Sequence, residues 1–281
     1  MSTSVGIVTG AGRGMGRTCA EQLVDLVDVL FLVDLDAGGL DEAAASLPGG
    51  QTRIEPVVMD VADRDGLGDL ADRVAARGTL RAIAHAAGIS PTMADWVRIL
   101  SVDLVGTARM VEALRPLVTS GTAMVCFASM ASQLLVGSGG AQGIPAIDRP
   151  LEASFLEELR NAIGAALEDP GVAYAWAKFG VQRLVQREAK LWGRQGGRIC
   201  SVSPGMIDTP QGRQEFEQQP AMAMLLEQTP LGRVGDSVEV AAVVAFLLSD
   251  TASFMTGCDV LIDGGVCAAI ATSAATPPTG P

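Results

Sequence analysis

Short runs of β-branched and apolar residues alternate along the chain with longer stretches whose apolar positions recur at helical spacing. The runs are Val5–Val8, Val29–Val33, Ile54–Met59, Ala82–Ala86, Met124–Ala128, Ile199–Val202 and Val260–Ile262. Between them lie Met15–Val27, Gly66–Arg77, Asp95–Val118, Ala175–Trp192 and Ser237–Leu248, several of them Ala/Leu-rich with charges on one face. The runs are continuously apolar rather than alternating, which predicts strands covered on both faces. Seven such strands separated by helices predict an α/β fold with a doubly wound, seven-stranded parallel sheet.

Two segments break the alternation. From Gln133 to about Asp169 a glycine-rich stretch precedes Pro150 and an amphipathic helical pattern, Leu151–Leu167, with no strand before the next helix. The connection Met206–Val234 holds a weaker helical stretch, Gln211–Gln228, bounded by Pro210 and Pro230. Both follow strand ends, where ligands bind in such sheets. The expected organisation is one domain over residues 1–271, with an insertion at about 133–169, a lid at about 206–234 and a loose tail at 272–281 that has three prolines and no large apolar residue.

Composition narrows the function classes. The formal charge is −12 and aromatic residues make up 4%, which argues against binding a phosphate backbone or stacking on bases. The longest apolar runs fall well short of the roughly 20 residues that span a bilayer. Five scattered cysteines, odd in number and without a C-x-x-C pair, suit reduced thiols in a cytoplasmic protein. One histidine, His85, excludes His-rich metal sites, and Tyr174 is the only tyrosine in the chain.

Thr9-Gly10-Ala11-Gly12-Arg13-Gly14-Met15-Gly16 lies between the first strand and the first helix, with the spacing G-x-x-x-G-x-G. Glycine there permits a tight turn, close approach to a pyrophosphate and tight helix–strand contact, and the helix N-terminus supplies amide donors. The other reading is a plain βα turn. Asp34 ends the second strand, where a carboxylate accepts from an adenosine ribose and repels a 2′-phosphate, favouring NAD over NADP. Alternatively Asp34 or Asp36 caps a following helix. Arg13 points the other way, since it suits a 2′-phosphate. Asp60-Val61 at the end of the third strand is a candidate contact to the adenine edge, or else a strand-end aspartate turn.

Tyr174 and Lys178 stand at i and i+4, stacked on one helix face. Ser129 follows the fifth strand, and Pro204-Gly205-Met206-Ile207-Asp208-Thr209 follows the sixth. With the glycine loop, these residues and the final Ile262-Asp263-Gly264-Gly265 resemble the short-chain dehydrogenase/reductase family over roughly residues 5–266. The resemblance implies a Rossmann fold and hydride transfer between NAD(H) and an alcohol or ketone, with no metal. Tyr174 would handle the substrate oxygen's proton, Lys178 would favour phenolate and hold the nicotinamide ribose, and Ser129 would orient the substrate oxygen. Ile207 and Thr209 would hold the carboxamide. Gly10, Gly12, Arg13, Gly14, Met15, Gly16, Ala87, Gly88, Pro204 and Gly205 complete the expected cofactor contacts.

Three departures qualify the resemblance. The family's usual Asn-Asn-Ala-Gly reads His85-Ala86-Ala87-Gly88, which makes His85 a structural substitute. Asp103 stands where the family has an asparagine that positions a relay water, so proton relay beside Lys178 is altered. Tyr174 follows Ser129 by 45 positions, far more than the family's usual gap. That insertion is similar to the one in bacterial 3-alpha-hydroxysteroid dehydrogenase/carbonyl reductases, where it covers a tetramer surface. It implies a dimer in place of a tetramer, although a plain surface excursion is the other reading. Met206, Met222, Met224, Leu225 and Leu226 suit a small hydrophobic alcohol or ketone, a steroid or other cyclic carbonyl among them. Two alternatives stand: an NADPH-preferring 3-oxoacyl or carbonyl reductase, and a cofactor-binding or scaffolding protein with weak catalysis.

Overall fold

A computed structural model of the chain describes residues 3–47, 50–135 and 140–275. Seven strands form one parallel sheet: β1 Ser4–Thr9, β2 Val29–Asp34, β3 Arg53–Val58, β4 Thr79–His85, β5 Ala123–Phe127, β6 Arg198–Pro204 and β9 Asp259–Ile262. Two further two-residue strands, β7 Ile207–Asp208 and β8 Gly235–Asp236, pair with each other apart from the sheet. The spatial order is β3-β2-β1-β4-β5-β6-β9, so the chain reverses direction across the sheet between β1 and β4. Thr9, the last residue of β1, is in register with Val33 on one side and His85 on the other. A crevice at such a reversal is where this architecture binds ligands.

The continuous apolar runs are explained by two cores. Val29, Phe31 and Val33 join Ile7 in the core under the helix Pro170–Gly193. Leu30 and Leu32, pointing to the opposite face, join Val8 in the core under the helices Gly14–Leu23 and Ser237–Leu248. The period of two along each strand thus buries both faces. Asp63 caps the helix Arg64–Arg77 by accepting from the Asp65 amide, and Asp236 with Glu239 forms a capping box on Ser237–Leu248.

Several helix limits differ from the periodicity reading. The chain between β2 and β3 forms the helix Ala37–Ser46, which the pattern misses because Gly38-Gly39 interrupts its opening turn. The first helix stops at Leu23 instead of Val27. The helix expected from Ala175 begins at Pro170, because Asp169 accepts from the Val172 amide and proline suits a first helical turn. The stretch 95–118 is not one uniform helix: Trp96–Leu100 passes through a π-helical segment, Ser101–Gly106, into Thr107–Leu114 and a 3-10 turn, Arg115–Leu117. Residues 211–228 form two helices, Pro210–Gln218 and Ala221–Gln228, parted at Pro220, which cannot continue the first. Within the insertion the helix is Phe155–Ile163, followed by the 3-10 turn Ala165–Glu168. The helix Val266–Ala275 runs past Thr272, where the tail was expected to begin. Residues 136–139, in the glycine-rich part of the insertion, and 276–281 of the tail lie outside the described residues. No helix among the described residues is long and apolar enough to cross a membrane.

Candidate active site

The C-terminal ends of β1, β2, β4, β5 and β6 open onto a cavity of about 960 Å³. Beyond Thr9 the chain turns through Gly10 and Gly14, whose φ values of 66° and 55° favour glycine. A Cβ on Gly16 would lie 2.0 Å from the Gly10 carbonyl oxygen, so the first helix presses directly against the loop. Asp34 accepts from the Gly12 amide at 2.9 Å and from the Asp36 amide at 3.1 Å. Its carboxylate fixes the loop against β2 and lines the cavity. The capping alternative fails for both aspartates: Asp36 occupies the N-cap position of Ala37–Ser46 but makes no side-chain cap bond. Asp60 makes the strand-end turn, accepting from the Ala62 amide at 2.8 Å, and pairs with Arg98 at 2.6 Å.

His85 is built into a buried chain of hydrogen bonds. Thr107 Oγ1 donates to the Asp103 carbonyl at 2.7 Å, so it accepts from His85 Nε2 at 3.1 Å. The unprotonated Nδ1 then accepts from Thr9 Oγ1 at 2.8 Å, and that hydroxyl accepts from the Ala87 amide at 3.1 Å. Burial and the nearby Lys178 charge lower the His85 pKa to about 3, so the ring stays neutral. It ties the end of β1 to the loop after β4, a structural role.

The reacting candidates converge from three elements. Ser129, just past β5, lines the cavity with Tyr174 and is near enough to the phenol to lower its pKa. Lys178 lies one helical turn on, with Nζ 5.4 Å from the centre of the Tyr174 ring, and donates to the Phe127 carbonyl at 3.2 Å. Asp103 comes from the π-helical segment and is fully buried. Its Oδ1 accepts from the Ile89 amide at 2.8 Å, while Oδ2 sits 3.5 Å from Lys178 Nζ with no hydrogen-bond partner. Burial raises the Asp103 pKa, and Lys178 opposes that rise. Burial and the charges of Asp103 and Glu215 push the Tyr174 phenol up; Ser129 pulls the other way. A Cβ on Gly88 would lie 3.0 Å from Lys178 Nζ and 3.1 Å from Asp103 Oδ1, so a side chain there would crowd both charged groups.

Of the residues expected in the site, Gly10, Arg13, Gly14, Met15, Asp34, Asp60, Val61, Ala87, Gly88, Ser129, Tyr174, Pro204, Gly205, Ile207 and Thr209 line the cavity. Gly12, Gly16, Asp103 and Lys178 stand behind its wall. The Thr209 hydroxyl accepts from the Gly212 amide at 2.9 Å, capping the helix Pro210–Gln218. None of the described residues of the insertion lines the cavity. Its Asp148 instead grips the outer face of Pro170–Gly193 through Arg183 and Arg187. The sequence reading missed Met93, Arg98, Phe216 and Glu215 in the cavity wall, because no motif marks them.

Comparisons with known proteins agree with this geometry. A family model described as short chain dehydrogenase matches residues 4–141, and one described as enoyl-(acyl carrier protein) reductase matches residues 162–267. The short-chain dehydrogenase/reductase bsc3 of Alternaria brassicicola is 31% identical over 95% of this chain and 97% of its own length. The cis-4-hydroxycyclohexanecarboxylate dehydrogenase of Sinomonas cyclohexanicum is 30% identical over 93% of this chain and 95% of its own. Among solved structures, the 3-alpha-hydroxysteroid dehydrogenase of Pseudomonas sp. B-0831, complexed with NADH, superposes with a TM-score of 0.75. It covers 98% of this chain and 100% of that one at 24% identity, a likeness of fold.

Proposed function

The chain belongs to the short-chain dehydrogenase/reductase family, oxidoreductases that act with a nicotinamide cofactor on small alcohols and ketones, and on that premise we propose that it is an NAD-dependent dehydrogenase of hydrophobic cyclic secondary alcohols and the corresponding ketones. One observation carries the reading: Ser129 and Tyr174, with Lys178 behind them, share one cavity with Asp34 and the glycine loop. The residues present fit a dinucleotide. Gly10 and Gly14 hold conformations that keep side chains out of the loop, and Gly88 clears the approach to Lys178. Asp34 offers a carboxylate to ribose hydroxyls and repels a 2′-phosphate.

When bound, NAD supplies the hydride acceptor and a positive charge on its nicotinamide ring. The chain's own residues would do the rest. Ser129 Oγ would orient the substrate oxygen beside Tyr174, whose phenolate would take the alcohol's proton in oxidation and whose phenol would give it back in reduction. Lys178, anchored on the Phe127 carbonyl, would favour the phenolate. Asp103 draws on the same lysine charge from the other side, which favours the protonated phenol. Oxidation is therefore expected to quicken as pH rises above neutrality. The apolar wall of Met130, Met206 and Met222 suits a hydrophobic ring, and the relative from Sinomonas cyclohexanicum is named for a cyclic alcohol.

The test is a spectrophotometric screen of cyclic alcohols and ketones, steroids included, with NAD(H) and NADP(H), on wild type and Asp34→Ala. Wild type should prefer NAD(H), and the variant should lose that preference. A wild-type preference for NADPH would favour Arg13, exposed at the cavity rim, as the cofactor-selecting residue. The insertion's cover over the helix Pro170–Gly193 supports a dimer, and a tetrameric mass in light scattering would count against it. Five free cysteines support a cytoplasmic setting.

A further inference from the structure

The cavity wall opposite the catalytic tyrosine carries a carboxylate that the proposed chemistry does not use. Glu215 stands on the helix Pro210–Gln218 and lines the cavity with Tyr174, with Gln211 and Ser90 near enough to favour its ionised form. Ser90 is itself fully buried and shares a 2.8 Å hydrogen bond with Thr92, so this neighbour is part of the rigid loop after β4. Glu215 is close enough to the reacting centre to act electrostatically on the Tyr174 phenol. The neighbouring Arg213 is committed to Asp208 at the surface, and no ion pair to Glu215 occurs among the described residues.

We propose that Glu215 recognises a second hydroxyl on an otherwise hydrophobic ring, remote from the reacting carbon, so that the site selects neutral cyclic diols over cyclic mono-alcohols and against anionic ones. The inference rests on the alcohol-dehydrogenase reading above and names its substrate class. Glu215 lines the cavity, and its carboxylate offers acceptor lone pairs to a donor bound there. A hydroxyl supplies that donor without a charge to desolvate. A mono-alcohol leaves the acceptor unpaired, which a site built to bond a hydroxyl discriminates against strongly. A carboxylate or phosphate on the substrate meets like charge in a partly desolvated pocket. Burial raises the Glu215 pKa, and Gln211, Ser90 and the Lys178 charge oppose the rise.

The experiment compares kcat/KM for cyclohexane-1,4-diol, cyclohexanol and 4-hydroxycyclohexanecarboxylate in wild type, Glu215→Ala and Glu215→Gln. Wild type should favour the diol over cyclohexanol by about tenfold or more. Glu215→Ala should bring that ratio close to one and raise the carboxylate's kcat/KM relative to cyclohexanol, with Glu215→Gln in between. Equal ratios in wild type and Glu215→Ala overturn the proposal, as does a variant that lowers all three substrates by one common factor. That second outcome would mean Glu215 only fastens its helix to the Ser90 loop. Failure of folded wild type to oxidise any of the three with NAD or NADP would instead sink the parent reading, and this inference with it.

Discussion

The excursion at 133–169 and the connection at 206–234 both leave C-terminal strand ends, and both read in sequence as covers for a pocket. None of the first one's described residues lines it. Gly143 packs so closely on Ile163 and Trp176 that an added Cβ would come within 2.7 Å of each, and Asp148 makes a two-pronged pair with Arg183 at 2.7 Å. Phe155, Leu159 and Leu167 complete a buried seam against the helix that carries Tyr174. The second has no buried residue in either of its helices, yet it supplies Met222, Leu225 and Glu215 to the cavity wall. It rests on the helix Val266–Ala275 through a small cluster around Met130, Met206 and Val266. One excursion is committed to holding the catalytic helix and the other to meeting the substrate, so substitutions in the two should separate stability from specificity.

Tyr174, on the helix between them, sets the scale. Tyr174→Phe should lower turnover by about a hundred- to ten-thousandfold, while NADH affinity measured by fluorescence titration stays near wild type. Retained turnover would remove the shared centre on which the comparison turns. Next in size, Trp176→Ala should cost about 3–5 kcal/mol in denaturant unfolding, since it opens a cavity in the seam. Met222→Ala should stay within about 0.5 kcal/mol of wild type in the same measurement while raising KM for a hydrophobic cyclic alcohol several-fold. If the two variants behave alike, the division of labour is wrong.

The smallest effect lies at Asp148. Burial works to raise its carboxyl, but the hydrogen bonds from Arg183 and Arg187 outweigh that and hold it below the usual range. A lowered folded pKa means the stabilisation is fully present above the unfolded value near ~3.9 and is lost as pH falls through the folded one. Asp148→Asn should therefore cost about 1 kcal/mol at neutral pH, and the gap from wild type should close below about pH 4 in acid unfolding curves. A gap that persists in acid would show that the seam is held by packing alone.

The strands were legible because continuous apolar runs have one stable home, the middle of a covered sheet. The candidate site residues stood out because Tyr174 and Lys178 share a helix face and Ser129 follows a strand end, and the fold brings the three near one another. What escaped the sequence depends on three-dimensional direction. Residues 133–169 carry a helical pattern but nothing that says which side of Pro170–Gly193 they will cover. The helix Ala37–Ser46 hid behind Gly38-Gly39, and the break at Pro220 hid inside a stretch already read as weak helix. The π-helical segment at Ser101–Gly106 leaves no compositional mark, yet it carries the buried Asp103 to Lys178. Glu215 was one acid among many until its helix was seen to face the phenol.

A chain with a single tyrosine, standing in its own catalytic pocket, is also its own optical probe. Ionisation of a phenol changes its near-ultraviolet absorption, and here no second phenol dilutes the signal. An absorbance titration therefore counts protons on the reacting group itself, in the resting protein and again with each ligand added. Changes at Asp103, Lys178, Ser129 or Glu215 can be read as spectral displacements before any substrate has been identified.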